Sequence, residues 1–249
     1  MRYPNEWHTT PRHSAPSPTN ALKNQIRQSA EVVRTSWYTF IMKYYLSSYK
    51  IGDKAEQLLE MLGDNTKVAV IFNALDFTYA DPTRRDSGIQ SDISALQDIG
   101  VEAEKLDLKN YFGKTPELKE RLQDFGGVWI MGGNVYILRQ AMSLSGLDII
   151  LKELDRQNGQ FVYAGYSAAG CVLSSDLKPY GIVDDTNDFP YKDAQEIQWN
   201  GLGLIDFTFI PHFQSDHDES DDINKTVQYC KDNDINYKTL KDGDVLVIE

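Results

Sequence analysis

The chain has 249 residues, 25 Lys plus Arg against 37 Asp plus Glu, and a formal net charge of −12. That acidic balance argues against a phosphate-backbone binder, which needs clustered cations; 41% hydrophobic and 11% aromatic residues argue against global disorder. The length suits one large domain or two small ones, and with a mean hydropathy of −0.46 no apolar run approaches the ~20 residues of a membrane helix.

Residues 1–41 carry five basic and two acidic side chains, leaving −15 for the rest, and hold Pro4, Pro11, Pro16 and Pro18 but no glycine. This composition predicts an N-terminal extension, disordered or weakly helical, ahead of a domain at 42–249. An Arg-rich transit peptide is the lesser alternative, and a start at Met42 is a further expectation. From Met42 strands and helices alternate. KYYLSSY (43–49) reads as a strand and KAEQLLEMLG (54–63) as a helix closed by glycine. KVAVIFNA (67–74) is a buried strand; SDISALQDIG (91–100) is a helix with Ser91 as its N-cap. VEAEKLDL (101–108) is an alternating strand, TPELKERLQDF (115–125) a helix, and GVWIM (127–131) a short buried strand. Helices NVYILRQAM (134–142) and LDIILKELDRQ (147–157) precede the strand QFVYAG (160–165). YKTLKDGDVLVIE predicts a C-terminal β-hairpin turning at Asp242-Gly243. The alternation implies an α/β fold, a mainly parallel sheet with helices on both faces.

In such folds chemistry gathers where strands run into helices. Gly132-Gly133-Asn134 follows GVWIM and offers backbone N–H donors, with Asn134 as helix cap. The run Ala164-Gly165-Tyr166-Ser167-Ala168-Ala169-Gly170 has the layout of a nucleophile elbow, in which a sharp turn projects the serine hydroxyl. Either motif alone is better read as a tight turn or a helix cap flanked by small residues. A serine nucleophile needs a base and an acid to orient it. His8 and His13 lie in the extension, so His212, after the strand-like DFTFIP, is the candidate base. His217 sits in a charged loop and is expected to be solvated. Asp188, in Thr-Asn-Asp-Phe-Pro, is the first choice for the acid. The 45 residues from serine to histidine are too few for an α/β-hydrolase. Cys171 and Cys230 are too few for a disulfide framework and suit a reducing cytoplasm. Cys171, one helical turn beyond Ser167, is read as packing.

GVWIMGGNVYILRQ, YAGYSAAGCVL, TNDFP and IPHF, in that order, resemble the serine dipeptidase family of aspartyl dipeptidase (peptidase E) and cyanophycinase. The resemblance covers 42–249 and implies a three-layer α/β/α fold of the class I glutamine amidotransferase-like (flavodoxin-like) type. It implies Ser167 as nucleophile, His212 as base, Asp188 as acid, and an oxyanion hole from the N–H groups of Gly133 and Ala168. Asn134 and Tyr166, flanking these donors, are the expected substrate-binding residues. No cofactor or metal is implied, nor any nucleic acid or membrane partner; the expected partner is a short peptide, with a homodimer left open. Two departures matter. Ala169 stands where the family elbow has glycine, and a methyl there either crowds the closely packed helix and strand or is accommodated if φ stays negative. Asp221 stands where aspartyl dipeptidases carry the arginine that reads an aspartyl carboxylate, and no arginine follows Arg156. Residues 176–234 hold 14 acidic and four basic side chains, a field that repels acidic substrates and raises the His212 pKa unless burial opposes it. The expected activity is a small serine exopeptidase or dipeptidase preferring neutral or basic N-terminal residues. The alternatives are a non-catalytic peptide- or ligand-binding member of the fold and a glutamine amidotransferase-like protein.

Overall fold

The computed structural model describes residues 42–157 and 160–249; the extension expected over residues 1–41 lies outside the described residues. In chain order the elements are β1 (Lys43–Ser47), α1 (Ala55–Leu62), β2 (Lys67–Ile71), α2 (Pro82–Asp98), β3 (Glu102–Lys105), α3 (Thr115–Leu122) and β4 (Gly127–Ile130). There follow α4 (Val135–Ser145), α5 (Leu147–Arg156), β5 (Val162–Tyr166), the single turn α6 (Ala168–Cys171), β6 (Thr208–Ile210), α7 (Ser220–Asp232), β7 (Tyr237–Thr239) and β8 (Val245–Ile248).

Six strands form one sheet in the order β3-β2-β4-β5-β1-β8, parallel except for β8, which runs antiparallel on β1. The interior strands are apolar on both faces because both faces are covered; the edge strand β3, Glu-Ala-Glu-Lys, is the charged exception. On one face Tyr44, Leu46, Ile71, Ile130 and Tyr163 pack with α4 and α5. On the other, Tyr45, Val68, Val70, Trp129 and Ala164 pack with α1 and α2. Alternate residues of each strand thus feed two cores, giving the expected three-layer α/β/α architecture.

Two local expectations are corrected. The helix expected from Ser91 begins at Pro82, capped by Asp81, whose carboxylate accepts the Arg84 N–H at 3.0 Å; Ser91 lies within its length. The C-terminal turn falls where expected, closed by the Asp244 N–H donating to the Lys241 carbonyl at 2.9 Å. The two strands it joins find ladder partners elsewhere: β7 runs parallel to β6 in a separate two-stranded sheet, while β8 covers the β1 edge. An otherwise open edge of the main sheet takes the more apolar strand, Val-Leu-Val-Ile.

Register aligns the strand ends that matter. Ser47 pairs with Tyr166 and Ile130 with Gly165, so residues 48–50, 131–134 and 167 emerge together at the carboxyl edge of the sheet.

Candidate active site

Ser167 follows β5 with φ of 52° and ψ of −112°, a backbone state that costs a non-glycine residue ~1–3 kcal/mol and that elbows use to expose a hydroxyl. Its N–H is tied to the Ser47 carbonyl at 3.2 Å, and its side chain makes no cap hydrogen bond to the following turn. Ala169 fits here. It is fully buried with negative φ, and its methyl occupies space opposite Gly165, where an added Cβ would come within 2.7 Å of it. The crowding expected from Ala169 is therefore relieved by the strand glycine facing it.

Gly133 passes 2.4 Å (at a notional Cβ) from the Ala74 carbonyl with φ of 142°, a close approach that only glycine tolerates. The adjacent Asn134 N–H is bound to that carbonyl at 3.0 Å, while the Gly133 and Ala168 N–H groups have no backbone partner among the described residues. Both residues line the same cavity as Ser167 and His212, about 380 Å³ in volume.

His212 is buried, 3% exposed, and also has positive φ, 60°. Its Nδ1 lies 2.7 Å from Asp242 Oδ1. Ser48, just past β1, joins the pair: its hydroxyl accepts the His212 N–H at 2.8 Å and lies 2.9 Å from Asp242 Oδ1. Asp242 is fixed in turn by its N–H donating to Ser215 Oγ at 2.8 Å. The bonded Nδ1 leaves Nε2 as the atom of the ring able to exchange a proton within the cavity.

The model of peptidase family S51 matches residues 50–249. The chain belongs to peptidase family S51. An uncharacterized peptidase of Listeria monocytogenes is 27% identical over 128 residues, 51% of this chain and 58% of that relative. A second, from Listeria innocua, is 26% identical over 128 residues, 51% of this chain and 57% of the relative; the match thus spans little more than half of these curated relatives. Among solved structures, a candidate peptidase E protein from Listeria monocytogenes matches with a TM-score of 0.63 at 20% identity, covering 84% of this chain and 98% of the other. A peptidase from an acI-B1 actinobacterium matches with a TM-score of 0.59 at 18% identity, covering 84% of each chain. At these identities the structural likeness speaks for the fold.

In this S51 chain the remaining expected residues fall as follows. Asp188 is not behind His212. Its buried carboxylate accepts the Thr78 N–H at 3.2 Å and its carbonyl accepts Gln140 Nε2 at 3.0 Å, so it ties a loop to α4; the carboxylate on the histidine is Asp242. Asn134 caps α4, its Oδ1 accepting the Tyr136 and Ile137 N–H groups, and its amide donates to the Asp185 carbonyl at 2.8 Å. Those bonds engage its oxygen and one amide hydrogen, and Asn134 also lines the cavity. Tyr166 lines the cavity, edge-on to Tyr49. Cys171 is buried, hydrogen-bonded to the Phe209 carbonyl at 3.6 Å, and burial pushes its thiol pKa up, which suits packing and not attack.

His217 is not a solvated loop residue. Its ring stacks on His212 at a centroid distance of 4.0 Å and an interplanar angle of 16°. The His212 pKa is lowered, first by burial and then by His217, against the opposing pull of Asp242; the acidic surroundings do not prevail. Asp184, also on the cavity wall, accepts the Val135 N–H at 2.7 Å, and desolvation raises its pKa to about 7.

Proposed function

We propose that the protein is a serine-type peptidase of short peptides, with Ser167 as nucleophile, His212 as general base and Asp242 as the carboxylate that orients it. The observation that carries this reading is the His212–Asp242 pair at 2.7 Å on the wall of the cavity that also holds the Ser167 elbow. His212 Nε2 takes the Ser167 proton as Oγ attacks the peptide carbonyl. The Gly133 and Ala168 N–H groups receive the developing oxyanion, and His212 returns the proton to the leaving amine. Water, deprotonated by the same nitrogen, then releases the acyl group. A lowered His212 pKa keeps the base neutral and competent near pH 7.

Substrate choice follows from charge. Asp185 lines the cavity together with Glu219 and with Asp184, which burial leaves only partly charged near pH 7. The cavity's Lys50 is paired with Asp92 at 2.6 Å, and the chain has no arginine beyond Arg156, so neutral or cationic N-terminal residues are favoured over Asp-X. Ala169, the feature that spoke for a non-catalytic binding role, fits its elbow and lends that alternative no support. A panel of dipeptides with Asp, Ala, Leu or Lys at the N-terminus tests both parts. Wild-type turnover is expected on Ala-, Leu- or Lys-X, with a loss of roughly 10⁴- to 10⁶-fold in Ser167→Ala. Unchanged turnover in Ser167→Ala would remove serine from the mechanism, and a preference for Asp-X would remove the substrate assignment.

A further inference from the structure

His217 and Glu219 have no part in the acyl-transfer chemistry, yet they stand beside the base. Ligand atoms of His212, His217 and Glu219 all lie within 4.8 Å of one another, and this is the one such His/Cys/Asp/Glu group among the described residues. Two imidazoles and one carboxylate form a borderline-soft donor set that suits Zn²⁺ and its neighbours, as in catalytic zinc sites with an open position. The surroundings fit as well. Asp242 on His212 Nδ1 at 2.7 Å fixes the ring and raises its basicity, the arrangement that metal-bound histidines almost always show behind the metal. Glu219 lies at the start of α7, with Oε2 3.8 Å from His217 Nδ1, close enough to share an ion. All three residues line the cavity, which leaves room for water to complete the coordination.

We infer that His212, His217 and Glu219 form a binding site for a divalent transition-metal ion, Zn²⁺ foremost, whose occupancy takes the general base out of use. One movement is required. The two rings are stacked nearly parallel, so their in-plane lone pairs do not yet meet at one point, and His217 must turn out of the stack. His217 and Glu219 are half-buried and not core residues, so the turn gives up the ring contacts with His212 and Tyr49 and the Glu219 N–H bond to His217 Nδ1 at 3.3 Å, but leaves the hydrophobic cores in place. With His212 Nε2 bound to metal, no lone pair remains to accept the Ser167 proton. The site therefore works as an inhibitory switch and adds no chemistry of its own.

The test is titration of the chelator-treated full-length chain with Zn²⁺ by calorimetry, with Co²⁺ absorption reporting nitrogen and oxygen coordination. One ion per chain is expected. His217→Asn and Glu219→Gln should each weaken binding at least tenfold, and Asp242→Asn, acting through His212, by about 10- to 100-fold. Ser167→Ala should bind as tightly as wild type. Wild-type affinity retained in both His217→Asn and Glu219→Gln would overturn the inference, as would several weak ions per chain with no change in the Co²⁺ spectrum. Binding is read without turnover, so a protein inactive on every peptide still returns this answer, and failure of the peptidase reading stays distinguishable from failure of the metal site. If turnover is found, Zn²⁺ should abolish it in wild type at the concentration that saturates the calorimetric site; full activity at saturation would refute the inhibitory part.

Discussion

Ser167 is held by the strand it follows and the turn it opens, whereas His212 is held by segments far from it in sequence. On the serine side the side-chain determinants are neighbours, Gly165 making room for Ala169, and the distant contribution is backbone only: β5 is paired with β4 and β1, and the Ser167 N–H donates to the Ser47 carbonyl. On the histidine side Asp242 is 30 residues away and Ser48 is 164 away. Both residues carry positive φ; at Ser167 one long-range backbone bond, to Ser47, joins the local turn, while at His212 the bonds come from side chains at opposite ends of the domain. Changes on the serine side should act through packing in the immediate turn. Changes on the histidine side should act at a distance, through one carboxylate and one hydroxyl.

The sharpest test of that contrast pairs two aspartates. Asp242→Asn is expected to lower kcat by about 10²- to 10⁴-fold, because the amide favours the wrong histidine tautomer, while leaving the fold intact. Asp188→Asn should leave kcat within a few-fold, since the amide oxygen can still accept the Thr78 N–H. The reverse ranking in steady-state kinetics would restore Asp188 as the orienting acid. Ser48→Ala comes next. It removes the acceptor of a buried N–H, at a cost of ~1–3 kcal/mol in stability, and loosens Asp242; a drop in kcat of about tenfold is expected, smaller than that of Asp242→Asn. Thermal unfolding and kinetics on the same sample separate the two effects.

The same contrast explains what was legible in the sequence. Strands β1, β2, β4 and β5 were readable because residues buried on both faces form short apolar runs, and the elbow was readable because its small residues are contiguous. Asn134 as a helix cap followed from its position alone. Asp242 was hidden because Asp-Gly is also a turn signal, and here the residue serves in the turn while presenting its carboxylate to His212. Asp188 was attractive by its place between serine and histidine in the chain and by the resemblance carried by its Thr-Asn-Asp-Phe-Pro motif, and neither fixes which groups the folded carboxylate meets. Ser48 had no signal beyond lying at a strand end. The stacking of His217 on His212 depends on how the 211–219 loop folds back, and loop geometry leaves no periodic trace. The pairing of β7 and β8 was misassigned for a related reason: a good turn fixes where two strands change direction, while sheet edges elsewhere decide which partners they take.

A smaller effect concerns pH. Burial, then His217, hold the His212 pKa below 6.5, so the base is neutral across the physiological range and kcat/KM should fall only on the acid side, with a midpoint under 6.5. Asp242 opposes this shift by favouring the charged ring, so Asp242→Asn should move the residual midpoint lower still. A wild-type midpoint above 6.5 would mean that the acidic surroundings outweigh burial after all.

The smallest expected change is Ala169→Gly. If Ala169 were crowding the elbow, glycine would relieve strain and raise turnover. The geometry argues otherwise, because the methyl sits in the space that Gly165 leaves free, and an added Cβ on Gly165 would also come within 2.3 Å of the Ile130 carbonyl oxygen. The tolerance therefore resides in Gly165. Ala169→Gly should leave kcat within about twofold and cost about 1 kcal/mol of stability, the usual effect of glycine within a helix. Gly165→Ala, by contrast, should cost about 1–3 kcal/mol by overpacking and displace the serine. A tenfold gain in turnover from Ala169→Gly would show that the elbow is held open by its own methyl, and that the serine side is not as self-contained as its contacts imply.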